Sequence, residues 1–290
     1  MIVKEYESAR TFLEEYENKM QEREAVSQVL LSFAYQNLSS PETEKGRYGA
    51  VAADNEVQLL YCNNPEDILI LYPVRHDKAA EAAAALADDL GSSLITISGI
   101  SARLELCQSF IEQYKRYINC TFVQQLAVDI MEIRKVNDIK PAEGSQRQAH
   151  PEEAMLVTDW MLQFQIEAEI HELDYEAALQ RAKRLISEGK VYLFEDEEHN
   201  AVSMAVAGGR LTHGMAITYV FTPEGYRGRG YAAANMYYLS KALLEEGYEY
   251  CTLSVDKRNP LSNRAYEKVG YQVVEENYEY RVLPAELNIL

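Results

Sequence analysis

The sequence predicts a mixed α/β protein that forms two domains with a similar order of helices and strands. Short apolar runs typical of strands alternate with helical patterns along the whole chain. With 290 residues the chain exceeds the usual size of one domain, which favours two. Residues 140–145 are small and polar and include proline and glycine, so we predict a linker there, between domains at 1–139 and 145–290.

The first half is predicted to begin with two helices and then to alternate strands with helices. Its helical patterns cover 6–24, 25–37, 78–90 and 103–119, and its strand patterns cover 48–53, 57–62, 68–74, 94–98 and 121–132. The third helical pattern is rich in alanine, the residue with the highest helix propensity.

The second half is predicted to repeat this order. Its helical patterns cover 151–165 and 175–187, a stretch that begins near Tyr231, and 262–268. Its strand patterns cover 190–195, 201–207, 215–222, 251–255, 272–274 and 278–282. Gly189 and Gly270 follow helical patterns as natural terminators. The parallel order favours a structural repeat, although the first half could equally be an unrelated α/β domain.

A glycine-rich turn with two arginines, reading YRGRGYAAA, follows the predicted strand that ends near Phe221. Gly228 and Gly230 allow a close approach of the backbone to a ligand and φ values that other residues avoid. The helix that follows directs unpaired N–H groups and the positive end of its dipole at the turn. Arg227 and Arg229 add forked donors suited to phosphate oxygens. The pattern predicts a phosphate-binding turn, against the alternative of an ordinary βα turn with two solvated arginines.

The spacing Arg227-x-x-Gly230-x-Ala232 matches neither the P-loop nor the Rossmann fingerprint. It resembles the pyrophosphate-binding motif Q/R-x-x-G-x-G/A of the GNAT superfamily of acyl-CoA-dependent N-acetyltransferases. The family's second segment, N-x-x-S/A-x-x-x-Y-x-x-x-G-F/Y, is matched by residues 259–271. The resemblance covers about residues 145–283 and implies the acyl-CoA N-acyltransferase fold.

The resemblance also implies a set of site residues, with acetyl-CoA as cosubstrate. Tyr266 corresponds to the general acid that protonates the departing CoA thiolate; the alternative is that it only packs, as one of 21 tyrosines. Asn259 corresponds to a cofactor contact of the family, and it can also act as a plain N-cap. Asn263 is a second implied cofactor contact; the alternative is that it faces solvent. The implied cofactor-binding residues are Val220, Thr222, Arg227, Gly228, Arg229, Gly230, Tyr231, Ala232, Asn259 and Asn263.

The first half shows no comparable phosphate-binding turn. Between Val74 and Lys78 stands Arg75-His76-Asp77, with no glycine, and residues 99–103 occupy the place of the second family segment. If this half is GNAT-like, it resembles a degenerate domain that no longer binds CoA in the usual way. We therefore predict one CoA per chain.

Composition excludes several classes of function. The net charge of −18 disfavours a nucleic-acid partner and mildly favours a cationic amine substrate. Four scattered cysteines, without C-x-x-C spacing, argue against a metal site or a disulfide framework and suit a reducing cytoplasm. The sequence contains no apolar run of about 20 residues, so we expect no membrane span. It leaves a homodimer open.

These observations favour a cytoplasmic enzyme that transfers an acetyl group from acetyl-CoA to a primary amine of a small molecule or peptide, by direct attack in a ternary complex. The alternative is a non-catalytic acyl-CoA-binding or regulatory protein. The predicted strand 215–222 has no carboxylate, so the general base is unassigned. The candidates for it are Glu167, Glu169, His171, Asp174 and Glu195.

Overall fold

The structure, a computed structural model, describes residues 1–38, 46–63, 68–169 and 173–283, and it divides into two compact units. The first unit comprises Met1–Asp129 together with the chain from Glu275 onward, and the second comprises Ile130–Val274. This division differs from the predicted domains at 1–139 and 145–290. The difference arises because two long strands, Thr121–Ile133 and Gln272–Leu283, contain the points at which the chain changes unit.

The first unit is a mixed sheet covered by helices on both faces. Its strands are β1 (Ile2–Tyr6), β2 (Arg47–Ala53), β3 (Glu56–Asn63), β4 (Leu69–Pro73), β5 (Gly99–Ala102) and the first part of β6 (Thr121–Ile133). Its helices are α1 (Ala9–Gln21), α2 (Glu24–Asn37), α3 (Ala79–Ser92) and α4 (Leu104–Tyr114). Strands β1 to β4 pair antiparallel in sequence order, and β4 pairs parallel with β5.

Side chains alternate between the two faces of this sheet, as the pleat requires. Val51, Leu59 and Leu71 pack with α3 and α4 on one face. Leu60 and Tyr72 pack with α1 and α2 on the opposite face. The nearly continuous apolar runs of β3 and β4 therefore reflect a sheet that is buried on both sides.

The second unit has the same plan. Its strands are the last part of β6, then β7 (Ser145–Gln148), β8 (Val191–Glu195), β9 (Ala201–Arg210), β10 (Gly214–Phe221) and β11 (Tyr250–Asp256). Its helices are α5 (Ala154–Glu167), α6 (Tyr175–Ser187), α7 (Tyr231–Glu245) and α8 (Pro260–Val269). Strands β7 to β10 pair antiparallel in sequence order, and β10 pairs parallel with β11. The predicted mixed α/β class is confirmed.

The last strand, β12 (Gln272–Leu283), belongs to both units by sequence, and its second part pairs antiparallel with β5 in the first unit. The sequence predicted two strands here, over 272–274 and 278–282. The structure joins them, because the polar residues Glu275-Glu276-Asn277 continue the extended backbone.

Three short elements differ from the sequence prediction. The predicted helix 6–24 is preceded by a strand, β1, and begins only after Ser8, whose hydroxyl accepts a hydrogen bond from the Thr11 N–H. The predicted linker 140–145 runs directly into the four-residue strand β7. The predicted strand 94–98 is not a strand. Its first two residues close α3, since Leu94 takes a φ of 55° and the Ile95 N–H donates to the carbonyl of Leu90, and residues 96–98 form an irregular connection. Strand β5 begins just after it.

Candidate active site

Strands β10 and β11 run parallel but pair over only part of their length. Among the residues that the structure describes, their ladder ends where Ala216 pairs with Thr252, whereas β10 continues to Phe221 and β11 to Asp256. The register of β10 with β9 shifts twice, and Tyr219 takes a φ of 49°, as in a bulge. The strands therefore leave an opening at their carboxyl ends, where open α/β sheets bind ligands.

The turn between β10 and α7 presents free backbone donors beside this opening. Gly228 and Gly230 take left-handed φ values of 76° and 84°, and Gly230 is the N-cap of α7 without a side-chain cap. Within the described part of the chain, the N–H groups of residues 228–232 donate to no protein acceptor. We call residues 227–232 the phosphate cradle, because unpaired N–H groups at a helix N-terminus are a ready anion site.

Both arginines of the cradle have partners in the protein. The Arg227 Nε donates to the carbonyl of Thr222 at 2.8 Å, and its Nη2 lies 2.6 and 2.8 Å from the carboxylate oxygens of Glu167. Arg229 is exposed and lies over the Tyr226 ring, with 6.0 Å between guanidinium carbon and ring centroid. The guanidinium of Arg227, which the sequence analysis assigned to phosphate, is therefore paired with a carboxylate. Its role in phosphate binding stays a prediction.

The C-terminal end of α5 makes a second ion pair beside the opening. Glu169, which takes a φ of 55°, accepts from the Arg258 Nη1 at 2.8 Å, and Arg258 also binds Asp256 at the end of β11. Burial acts to raise the pKa of Asp256, but hydrogen bonds from Arg258 outweigh it and the pKa is lowered. Two successive turns, after β10 and after β11, are thus each joined to α5 by a glutamate–arginine pair.

The other base candidates are placed in structural roles or lie outside the described residues. Asp174 is the N-cap of α6 and accepts from the Ala177 N–H at 2.8 Å. Glu195 lies 2.6 Å from the Nη2 of Arg147, on the neighbouring strand β7. His171 lies outside the described residues.

Tyr266 is buried on α8, with 6% of its surface exposed. Its ring meets the Tyr271 ring edge-on at 6.0 Å, and the Tyr271 hydroxyl lies 2.7 Å from the Ser240 hydroxyl. Burial raises the pKa of Tyr266 above its usual value, so the phenol keeps its proton at neutral pH. Tyr266 is thus a packed core residue with a neutral phenol; its role as general acid stays a prediction.

The two asparagines of α8 occupy different environments. The Asn259 side chain caps the helix and accepts from the Ser262 N–H at 3.2 Å, so the N-cap interpretation is confirmed. Asn263 is half-buried, and its Oδ1 is buried without a hydrogen-bond partner among the described residues. Such atoms are rare in folded proteins and are satisfied by water or a ligand.

The remaining predicted residues lie along β10 and in the first turn of α7. Val220 is half-buried on β10, beyond the end of the β10–β11 ladder. Tyr231 and Ala232 are half-buried in the first turn of α7, and the Tyr231 ring packs against Phe194 at 5.9 Å. The structure therefore brings the predicted residues of β10, the cradle and α8 into one unit.

A buried polar chain, which the sequence analysis did not identify, fixes the end of β10. The Thr222 hydroxyl donates to the Ser203 Oγ at 3.0 Å, and Ser203 donates to the carbonyl of Phe221 at 3.2 Å. Asn235 on α7 lies 3.5 Å from the same Ser203 oxygen and accepts from Gln146 at 2.6 Å. Ser203 and Asn235 are fully buried. Short polar residues inside otherwise apolar strand and helix patterns were the available signal.

Two further expectations concern metals and membranes. Among the described residues, no group of three or more histidine, cysteine, aspartate or glutamate side chains is arranged to hold a metal ion. All four cysteines are buried, and they form no disulfide. No helix in the described part of the chain has both the length and the apolar character that crossing a bilayer demands.

Comparison with known proteins identifies a family over most of the second unit. Residues 154–271 match the family described as "Acetyltransferase (GNAT) family". A GCN5-related N-acetyltransferase from Sphaerobacter thermophilus has a similar structure, with a TM-score of 0.61 at 15% identity, covering 97% of this chain and 94% of that chain. No curated protein matches the sequence.

Two further solved structures resemble almost the whole chain. A GNAT-family acetyltransferase from Colwellia psychrerythraea aligns with a TM-score of 0.56 at 10% identity, covering 98% of this chain and 100% of that one. A Drosophila protein aligns with a TM-score of 0.59 at 13% identity, covering 98% and 99%. At these identities the likeness shows the fold, and the predicted acyl-CoA N-acyltransferase fold is confirmed.

Proposed function

Because residues 154–271 form a domain of the acetyltransferase (GNAT) family, we propose that the protein transfers an acetyl group from acetyl-CoA to a primary amine. The observation that carries this proposal is the combination, within one unit, of the β10–β11 opening, the free N–H groups of the cradle and the buried Tyr266. Each of the three has a separate role in the reaction.

The residues present suit a pyrophosphate and an extended pantetheine chain. The N–H groups of residues 228–232 are the donors for the pyrophosphate, and the left-handed glycines keep side chains away from it. Val220 near the end of β10 and Thr222 just after it lie beyond the ladder with β11, and we assign their backbone to the amides of pantetheine. The Thr222 carbonyl accepts from the Arg227 Nε, so its N–H is the group assigned there. On α8, the buried Oδ1 of Asn263 is an acceptor without a partner among the described residues, and we assign it to a donor of the bound cofactor.

The chemistry needs one nucleophile and two proton movements. The neutral amine nitrogen attacks the thioester carbonyl and the carbon–sulfur bond breaks. The CoA thiolate takes a proton from Tyr266, and the proton that the new amide nitrogen loses returns to the phenolate. Burial keeps Tyr266 protonated and therefore able to donate. We assign the stabilisation of the oxyanion to an N–H group on the β10 edge, the type of preorganised contact that often dominates acyl transfer.

The amine must lose a proton before it attacks. We propose that the amine enters the site past the C-terminal end of α5. Glu167 and Glu169 contact the turns on both sides of the opening through Arg227 and Arg258. Both glutamates are exposed, so a cationic acceptor can reach them from solvent and be attracted by their charge.

One observation favours the non-catalytic alternative, an acyl-CoA-binding or regulatory protein. The strand β10 carries no carboxylate, and every described base candidate is engaged in an ion pair or a helix cap. A protein that only binds acyl-CoA needs the cradle but no base.

A panel of primary amines, assayed for thiol release from acetyl-CoA, separates the two functions. We expect turnover with at least one amine and one acetyl-CoA bound per chain by calorimetry. Micromolar binding of acetyl-CoA without turnover on any amine would establish the binder instead. Absence of binding would refute both, since both depend on the cradle.

A further inference from the structure

The first unit repeats, at its β4–β5 pair, the chain order that forms the opening in the second unit. Strands β4 and β5 are parallel, α3 follows β4 and α4 follows β5. Their ladder joins only Leu69 to Ile100 and Ile70 to Ser101 among the described residues. Their carboxyl ends are thus a second position at which the topology favours a ligand.

Three nitrogen-rich side chains converge at this position, from three different elements. They are Arg23 between α1 and α2, His76 after β4, and Arg103 after β5. The Arg23 Nη1 lies 3.1 Å from the His76 Nε2, and the Arg103 Nη1 lies 2.5 Å from the His76 Nδ1. Beneath them, the buried carboxylate of Glu275 lies 3.1 Å from both guanidinium groups. We call Arg23, His76 and Arg103 the basic triad.

The hydrogen bonds within the basic triad cannot all be satisfied. A guanidinium only donates, and a neutral imidazole has one accepting nitrogen and one N–H. One of the two arginine contacts of His76 therefore places N–H against N–H, and protonation of His76 would make both contacts of this kind. An acceptor located between the three side chains would remove the conflict.

The carboxylate of Glu275 is shared by two guanidinium groups of the cluster, one at each oxygen. Two neighbouring cations are engaged elsewhere: Arg75 is paired with Glu56 and Asp77, and Lys78 with Asp54. Glu275 is 9% exposed, and each of the two arginines that it pairs with also directs its Nη1 at His76.

We propose that the basic triad binds the phosphate group of a small phosphomonoester or free inorganic phosphate. Three donor groups from three directions suit the tetrahedrally arranged terminal oxygens of a phosphate better than the two oxygens of a planar carboxylate. The site lacks the glycine turn of the cradle, so it offers no surface for a pyrophosphate that lies along the backbone. The proposal does not rest on the activity assigned to the second unit.

Calorimetric titration with inorganic phosphate tests the site in the full-length Gly230→Asp variant, in which phosphate binding at the cradle is blocked. We expect saturable binding that His76→Ala and Arg103→Gln each weaken about tenfold or more, the effect of losing one charge-assisted hydrogen bond. Arg75→Gln is the matched control, because Arg75 is adjacent and exposed but belongs to other ion pairs. It should bind phosphate as its parent does.

Two measurements keep the test decisive. His76 is exposed, so His76→Ala should fold even if Arg103→Gln does not, and circular dichroism checks both. The chain has five histidines, so the ring resonances of His76 can be assigned by their loss in that variant and should shift on adding phosphate.

Glycerol 3-phosphate that binds more tightly than inorganic phosphate would identify a phosphomonoester as the ligand, and the reverse order would identify the free ion. Absence of saturable binding, equal binding of acetate, or equal loss in Arg75→Gln would overturn the proposal.

Discussion

Replacing Tyr266 by phenylalanine tests the assignment of the general acid most directly. The substitution removes one oxygen and leaves the ring, whose contact with Tyr271 and burial among apolar side chains hold α8 in place. The fold and the cradle are therefore expected to be unaffected. The lost proton donor should lower kcat and kcat/KM together by about 10²-fold, which corresponds to about 2.7 kcal/mol of transition-state stabilisation.

The assay is thiol release from acetyl-CoA with the best amine of the panel, over a range of pH. Burial raises the pKa of Tyr266, so the group stays protonated throughout the range below pH 10. The wild type should therefore show no loss of rate on the alkaline side that depends on Tyr266 below that pH. Binding of acetyl-CoA, measured by calorimetry, should change by less than about threefold, since ground-state contacts are retained.

A Phe variant with wild-type kcat would refute the reasoning, because solvent or another group would then supply the proton. A variant with unchanged kcat but much weaker acetyl-CoA binding would contradict it in another way, by making Tyr266 a binding residue. Tyr271→Phe is the matched control: it removes a hydroxyl that contacts Ser240 instead of the opening, and it should keep wild-type kcat.

Three other predictions follow from the same site and core. Gly230→Asp should abolish acetyl-CoA binding, because it forces a residue with a side chain to a φ of 84° and adds a carboxylate among the phosphate donors. Gly225→Asp is the control: Gly225 lies in open space without a positive φ, so calorimetry should show that this variant retains binding. Glu167→Gln should tighten acetyl-CoA binding about twofold to fivefold by releasing Arg227 from an exposed ion pair, and unchanged or weaker binding would show that the pair does not compete with phosphate. Burial raises the pKa values of Tyr266 and Tyr271 above 10.0, the value in the unfolded chain. The stability that these tyrosines contribute is therefore fully present below pH 10 and falls as the pH rises beyond it. Urea titrations should show a lower free energy of unfolding at pH 11 than at pH 9, and the difference should be smaller in the Phe variants.

The positions of most helices and strands could be predicted because their patterns are local. Strand β10, the cradle glycines and the start of α7 at Tyr231 were predicted from an apolar run, from the φ values that glycine allows and from the helical pattern that follows. The structure places them together. Strand β1 was missed because its alternation, IVKEY, is short and mostly exposed. Its identity as a strand depends on pairing with β2, far along the chain.

Features of the site that depend on distant contacts could not be predicted. The partner of Arg227 is Glu167, on a different helix, and no local pattern links the two. The same holds for Asn235, which reads as an ordinary helix residue but joins Ser203 on β9 inside the core. Asn259 was recognised as a cap because capping involves only a neighbour three residues away.

The chain passes from the first unit to the second and then returns to the first, which matters for its synthesis and for truncated fragments. The second unit is encoded without interruption, but the first receives its last strand from residues after 275, where Tyr278 pairs with Ala102 and Asn277 donates to Ser101. A nascent chain therefore completes its second unit before its first. A fragment that stops at residue 139 would leave the edge of β5 unpaired, with the aggregation risk of an open strand, and a fragment for separate expression of the first unit needs the C-terminal strand attached.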